Sequence, residues 1–237
     1  MIFVGIDDTD TLDDPGTNQL ARHLVRELAD SFQARIVTRH QLLEDPRVPC
    51  TRKNGCAAIE LDPISDAAED GLATRIRRLM LAWCPRGSDP GLCVARSPIP
   101  ESVTAFGREC QRRLMTQFEA RHLAASCGIH LEGLGGTEDG VIGALAAVGL
   151  INTRNDGRII WLGSATKDHF EVSGLHDVAE LIAVGVEVRT CGDQQVVNSG
   201  SVDVGKRLRP NYRDGKVVLY VSPLPGPTSH WLAERVV

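Results

Sequence analysis

Three aspartates, Asp7, Asp8 and Asp10, follow directly on the apolar run Ile2-Phe3-Val4 and the pair Gly5-Ile6. Like charges this close repel and raise one another's pKa, so such a cluster at the end of a buried strand is costly unless a cation joins it. Carboxylate oxygen suits a hard divalent cation such as Mg²⁺, which commonly takes one or two carboxylates together with phosphate oxygens. Gly16-Thr17 then opens a helical pattern. The start of the chain therefore reads as strand, acidic loop and helix N-terminus, an order suited to a metal-bound phosphate. Thr17 fits equally the ordinary role of a helix N-cap. Asp13 and Asp14 precede Pro15-Gly16 in a turn and read as solvated.

Other segments carry weaker signals. In Thr51-Arg52-Lys53-Asn54-Gly55, Arg52 and Lys53 offer charge to a phosphate, Asn54 an amide donor and Gly55 close backbone approach. Taken alone, the segment reads as an exposed basic turn. The stretch 133–143 holds Gly136, Gly140 and Gly143 ahead of a small-residue helix, where backbone N–H groups can cradle an anion. Its Glu138 and Asp139 would repel one, and suit a metal, an amine or the helix dipole instead. The segment 200–207 nearly matches a P-loop, but Arg207 stands where the hydroxyl belongs and no amphipathic helix follows. The basic run Lys206, Arg207, Arg209, Arg213 and Lys216 reads as a solvated face. Asp8-Thr9-Asp10-Thr11-Leu12 is one residue short of the D-x-D-G-T-L start of haloacid-dehalogenase-type phosphatases, a rival in which one Asp is the nucleophile.

Bulk properties narrow the field. A net charge of −5 gives no overall attraction for a polyanion, and five Phe, three Trp and two Tyr leave little for base stacking. Seven cysteines without a Cys-x-x-Cys pair argue against structural zinc and for reduced thiols in a cytoplasmic protein. The longest apolar run, Val141 to Ile151, is too short to span a bilayer. Oligomeric state is left open.

The elements that must carry these residues alternate. Leu20, Leu24 and Leu28 predict a helix from about Thr17 to Asp30. Strands are expected at 35–43, 55–61 and 91–99, a helix at 67–83, and a long helical pattern, bent or split, at 101–127. A buried helix at 141–151 is followed by strand 158–162, helix 175–184, and strands 186–190 and 216–221. A tail marked by Pro223, Pro225 and Pro227 should have little regular structure. The fold class is mixed α/β, with a first domain over 1–128 and a second over 129–237.

Four motifs occur in order: Gly5-Ile6-Asp7-Asp8-Thr9-Asp10, Gly16-Thr17-x-x-Leu20-Ala21, Thr51-Arg52-x-Asn54-Gly55, and the run from Gly140 to Gly149. Together they resemble the archaeal tRNA-isoleucine agmatinylcytidine synthetase family. That resemblance implies a kinase-like domain followed by a ferredoxin-like domain. It implies ATP and Mg²⁺ as cofactors, and ATP-driven activation of a wobble cytidine that agmatine then displaces. By it, Asp7, Asp8 and Asp10 hold metal and ATP, Thr17 is the phosphorylated threonine, and Arg52, Asn54 and Gly55 form the basic loop. Lys53 replaces a glycine, and Gly16 replaces a cysteine. The family's OB-fold and zinc ribbon have no counterpart in this sequence. The expected reaction is therefore phosphoryl transfer from ATP to a small-molecule or nucleotide acceptor. A tRNA acceptor is disfavoured and would need a partner subunit. A nucleotide-binding module without turnover is the non-enzymatic alternative.

Overall fold

The computed structural model describes residues 1–51, 53–163, 172–224 and 230–236, with only the backbone at 66 and 67. In chain order the elements are β1 (Ile2–Asp7), α1 (Thr17–Glu27), β2 (Phe32–Gln41), β3 (Gly55–Pro63), a 3₁₀ turn (Asp66–Glu69), α2 (Leu72–Trp83), β4 (Gly91–Arg96), α3 (Glu101–Cys110), α4 (Gln117–Ser126), β5 (His130–Gly133), α5 (Gly140–Asn152) and β6 (Arg158–Leu162). There follow β7 (Leu175–Asp177), α6 (Val178–Ala183), β8 (Val186–Thr190), β9 (Ser201–Asp203), β10 (Asn211–Arg213), β11 (Lys216–Pro223) and β12 (His230–Ala233).

The strands join one sheet in the order β5-β4-β1-β3-β2-β6-β10-β11-β12-β9-β7, with β8 paired to β11. Every pairing from β5 to β6 is antiparallel; β8 with β11 and β9 with β12 are parallel. Side chains alternate across a strand, so β1 feeds two cores. Ile2, Val4 and Ile6 meet Leu20 and Leu24 of α1 and Ile76 and Met80 of α2. Phe3 faces the other way, into a core with Val103 and Phe106 of α3 and Val141 and Leu145 of α5. Asp7, in step with Phe3 and Gly5, falls on the α5 side.

Helix α5 is apolar on every side and is buried on every side, between the sheet and α3. It sits directly on the backbone of the central strands. A Cβ at Gly5 would lie 2.0 Å from the Ala144 carbonyl oxygen, and one at Gly91 would lie 2.1 Å from Gly140. The division expected at 128/129 falls just before β5, yet β5 pairs with β4 and α5 packs across β1 and β4. The reason is the all-round apolar surface of α5, which needs both the first sheet and α3 to cover it.

Several boundaries move for local reasons. The pattern at 101–127 is two helices; Thr116 and Glu119 form a capping box that starts α4 afresh. Residues 67–83 give a 3₁₀ turn, then Gly71 at φ +72°, then α2. Residues 175–184 divide into β7 and α6, where the Asp177 side chain accepts from the Ala179 N–H at 2.8 Å. The tail contains β12, which adds to β11 beyond Pro223; Pro225 and Pro227 lie outside the described residues. No described helix is long and apolar enough to cross a membrane.

Candidate functional site

Strand β1 ends at Asp7, and the chain turns at Asp8, whose φ of +51° places it in the left-handed region. The turn is held by the Asp89 N–H donating to the Asp8 carbonyl at 3.0 Å. The Asp89 carboxylate in turn accepts from the Thr137 hydroxyl and the Glu138 N–H, tying the glycine-rich loop to the acidic one. Asp139, at the start of α5, accepts from Gln117 Nε2 at 2.7 Å and from Thr137 Oγ1 at 3.0 Å. Fully buried Thr9 donates its hydroxyl to Thr17 Oγ1 at 3.0 Å.

Asp7, Asp8, Asp10, Thr17, Asp89 and Asp139 line an open cleft of about 220 Å³. Asp7, Asp8, Asp10, Asp89 and Asp139 form an acidic wall. The loop 42–54 supplies the opposite wall, with Leu42, Val48 and Lys53, and Leu114, Met115 and Ile142 add apolar surface. Burial, the charge of Asp8 and that of Asp10 push the Asp7 carboxyl up to about 7, against a smaller pull from an Asp8 backbone hydrogen bond and Arg39. Burial, then Asp89, Asp10 and Asp139, push Asp8 up to about 6. Among the described residues, no three His, Cys, Asp or Glu side chains converge closely enough to hold a metal by themselves. The hard oxygen donors and their mutual repulsion fit a divalent cation whose remaining ligands come from a bound phosphate.

The residues singled out from sequence are placed unevenly. Asp7, Asp8, Asp10, Thr17, Lys53, Asn54, Gly55, Gly140 and Gly143 all line the cleft. Thr17 is the first residue of α1, not its cap; Gly16 holds the cap position and there is no side-chain cap bond. A Cβ on Gly16 would sit 3.3 Å from Asp10 Oδ2. The Asn54 amide donates to the Leu43 carbonyl at 2.7 Å, closing the 42–54 loop, and Lys53 pairs with Glu44 at 3.5 Å. Gly136 lies outside the cleft lining. It has φ +62°, and a Cβ there would meet the Asp89 carboxylate at 2.7 Å, so it serves the turn. Arg52 lies outside the described residues. Glu138 pairs with Arg121 rather than facing the cleft. Sequence reasoning missed Asp89 and Thr9. The signal for Asp89 was its position in Gly-Ser-Asp-Pro-Gly, an acid just ahead of a strand, as Asp7 is an acid at the end of one.

The fold and site define a mixed α/β protein whose acid-lined cleft lies at the end of its central strand, against the N-terminal turn of a buried helix. Its likeness is to tRNA(Ile2) 2-agmatinylcytidine synthetase TiaS of Pyrococcus horikoshii, at 26% identity over 152 residues, or 63% of this chain and 35% of that protein. Among solved structures, a TiaS–tRNA(Ile2)–ATP complex superposes with a TM-score of 0.55 at 23% identity, covering 62% of this chain and 36% of that one. A tRNA fluorescent labeling enzyme superposes with a TM-score of 0.55 at 22% identity, covering 62% and 35%. A TiaS–tRNA(Ile2)–AMPCPP–agmatine complex gives 0.53 at 22% identity with the same coverage. No family model matches the chain. The chain spans about a third of the length of the curated relative it matches.

Proposed function

We propose that the cleft binds ATP with Mg²⁺ and transfers a phosphoryl group to an acceptor. The observation that carries this reading is the packing of the Asp7 carboxylate against Gly143 in the first turn of α5, with Asp8 beside it and the Thr17 hydroxyl in the same cleft. Magnesium bound there would neutralise charge on the transferring phosphates, the dominant task in this chemistry. Asp7 and Asp8 hold the cation, and Asp10 stands next to Gly16 at the N-terminus of α1. Thr17 receives or orients the γ-phosphoryl, with its hydroxyl fixed by Thr9. Lys53 adds positive charge from the opposite wall. The apolar surface of Leu42, Val48, Met115 and Ile142 suits the adenine base.

The acceptor in this reading is a small molecule or nucleotide. The tRNA-modifying alternative has a specific observation in its favour, since the curated relative is a tRNA(Ile2) agmatinylcytidine synthetase. An ATP-consumption assay with candidate acceptors, with and without tRNA, separates the two. Product formed only with tRNA would overturn the small-acceptor reading. Tight Mg·ATP binding with no turnover on any acceptor would leave a nucleotide-binding module.

A further inference from the structure

A second groove, of about 680 Å³, adjoins the cleft through Lys53, which lines both. It gathers Arg39 of β2, Arg158 of β6, Arg209 from the loop before β10, Arg213 of β10, and Arg235 beyond β12. The sheet forces part of this crowding: Arg39 pairs directly opposite Arg158, and Arg158 opposite Asn211. Like charges opposite one another across strands destabilise a sheet. The acids close by offset this only in part: Asp156 feels the charge of Arg213, and Asp7 that of Arg39, but neither forms an ion pair with an arginine of the groove. Of the two acids in the groove, Glu44 pairs with Lys53, and Asp156 accepts from Gln111 and binds His40 at 2.6 Å. Among the described residues, no carboxylate pairs with Arg39, Arg158, Arg209, Arg213 or Arg235. Arg39 donates to Gln41, and Arg213 to the backbone carbonyls of Gly157 and Tyr212. Arg158 Nε is buried without any hydrogen-bond partner. Burial, with the charges of Arg209, Arg39, Arg207 and Arg235, pulls the Arg158 guanidinium down to about 10. Arg158 and Arg209 also line a smaller cleft beside Gly16, Asn18 and Gln19, at the end of α1 that carries Thr17.

A buried guanidinium donor left unmatched, in a groove where five arginines outnumber two acids that pair with other groups, asks for an external oxyanion. We propose that this groove is the subsite for a compact oxyanion, phosphate or clustered carboxylate, borne by a small-molecule acceptor. The assignment of that anion to the acceptor rests on the phosphoryl-transfer reading of the neighbouring cleft; the anion site itself does not. A nucleic-acid backbone fits less well. No aromatic side chain lines the groove among the described residues to stack a base, and the adjoining cleft wall carries five aspartates that would repel a continuous phosphate chain.

Titration calorimetry of the whole chain in metal-free buffer tests this, with inorganic pyrophosphate, citrate and a single-stranded RNA oligonucleotide as separate probes. Wild type should bind pyrophosphate or citrate, the preferred one naming the acceptor's anion. Arg209→Gln should weaken that binding by at least about tenfold, and Arg158→Gln further, each with melting curves that show the variant folded. Asp8→Asn should bind the same probe as wild type does. Affinity unchanged in Arg209→Gln, or binding of neither small anion, overturns the site. RNA bound more tightly than both, and lost in Arg209→Gln, overturns it in favour of a polynucleotide. Mg·ATP is titrated in parallel. Loss of Mg·ATP binding in Arg209→Gln would give the groove to the nucleotide and overturn the acceptor assignment. Mg·ATP binding indifferent to Asp8→Asn would sink the cleft's function while leaving the groove an anion site.

Discussion

The carboxylate of Asp7 occupies the space where any side chain on Gly143 would have to stand: a Cβ there would lie 1.7 Å from Asp7 Oδ2 and 2.9 Å from Asp7 Cβ. Because even Asp7 Cβ is too close, rotating the carboxyl away does not relieve the clash. Strand end and helix start must separate, or Asp7 must leave the cleft. Gly143→Ala should therefore lose Mg·ATP affinity by more than about tenfold, the size of one charged hydrogen-bonding contact. Gly149→Ala is the comparison, because its Cβ would meet the Val103 carbonyl oxygen at 2.1 Å, far from the cleft. It should cost about 1–3 kcal/mol of stability through overpacking and leave the folded fraction's affinity unaltered. Calorimetry and melting curves on both variants check this; equal affinity loss in the two would remove the specific link between Gly143 and Asp7.

The raised carboxyls make stability depend on pH in a definite direction. Asp7 titrates near 7 and Asp8 near 6 in the folded protein, against about 4 when exposed in the unfolded chain. Between those values the folded state binds more protons, so stability falls as pH rises. Their stabilising contribution is complete below about pH 4, declines as pH passes through 6 and 7, and is gone above. Metal-free protein should melt several degrees lower at pH 8 than at pH 6 on this account. Asp7→Asn should flatten the slope, and Mg²⁺ with ATP should restore stability at pH 8. A melting temperature in chelator that is level from pH 6 to 8 in wild type would count against the crowded-carboxylate picture.

Asp156 has the opposite sign. Burial pushes its carboxyl up, but hydrogen bonds from His40 and Gln111 and the charges of His40 and Arg213 outweigh it and hold the group below its ordinary value. That contribution is present above the unfolded carboxylate range and is lost as pH falls through the depressed folded value. His40 is fully buried and also contacts Thr38 at 2.7 Å, so removing the carboxylate strands an interior ring. Asp156→Asn should cost about 1.5–3 kcal/mol at neutral pH, the worth of a hydrogen bond to a charged group. Chemical denaturation at pH 7 and pH 4 checks it: the deficit should shrink toward the acid side.

Much of this site could be read from sequence because its main parts are local. Asp7, Asp8, Asp10 and Thr17 sit in one strand–loop–helix segment, and α5 announces itself by being apolar throughout. The strands β5, β9, β10 and β12 could not be read. Each is three or four residues long, and β5 has no fully buried residue, so no period-two pattern accumulates. Asp89 reaches the acidic wall only because β4 pairs beside β1. The basic run at 206–216 read as a single solvated face, but the fold splits it: Lys206 stays exposed, Lys216 pairs with Glu187 at 2.8 Å, exposed Arg207 still acts on Arg158 by its charge, and Arg209 and Arg213 line the groove with Arg158. Sheet pairing, not sequence proximity, makes the arginine groove.

Thr17 separates an enzyme from a binding module. A capping role is excluded by position, since Gly16 precedes the helix and no side chain caps it. What Thr17 does in the folded chain is accept a hydrogen bond from buried Thr9. Thr17→Ala should thus cost about 1–2 kcal/mol, mostly from leaving the Thr9 hydroxyl unmatched. Thr17→Ser keeps an oxygen there and should cost less. If Thr17 receives or orients the phosphoryl group, Thr17→Ala should also abolish turnover while Mg·ATP binding through the aspartates survives, and Thr17→Ser should retain part of the activity. Acid-stable phosphate on residue 17 should then appear in mass spectra of wild type and Thr17→Ser after incubation with ATP, and be missing from Thr17→Ala. Undiminished turnover in Thr17→Ala would take the hydroxyl out of the mechanism and leave it as a partner for Thr9 alone.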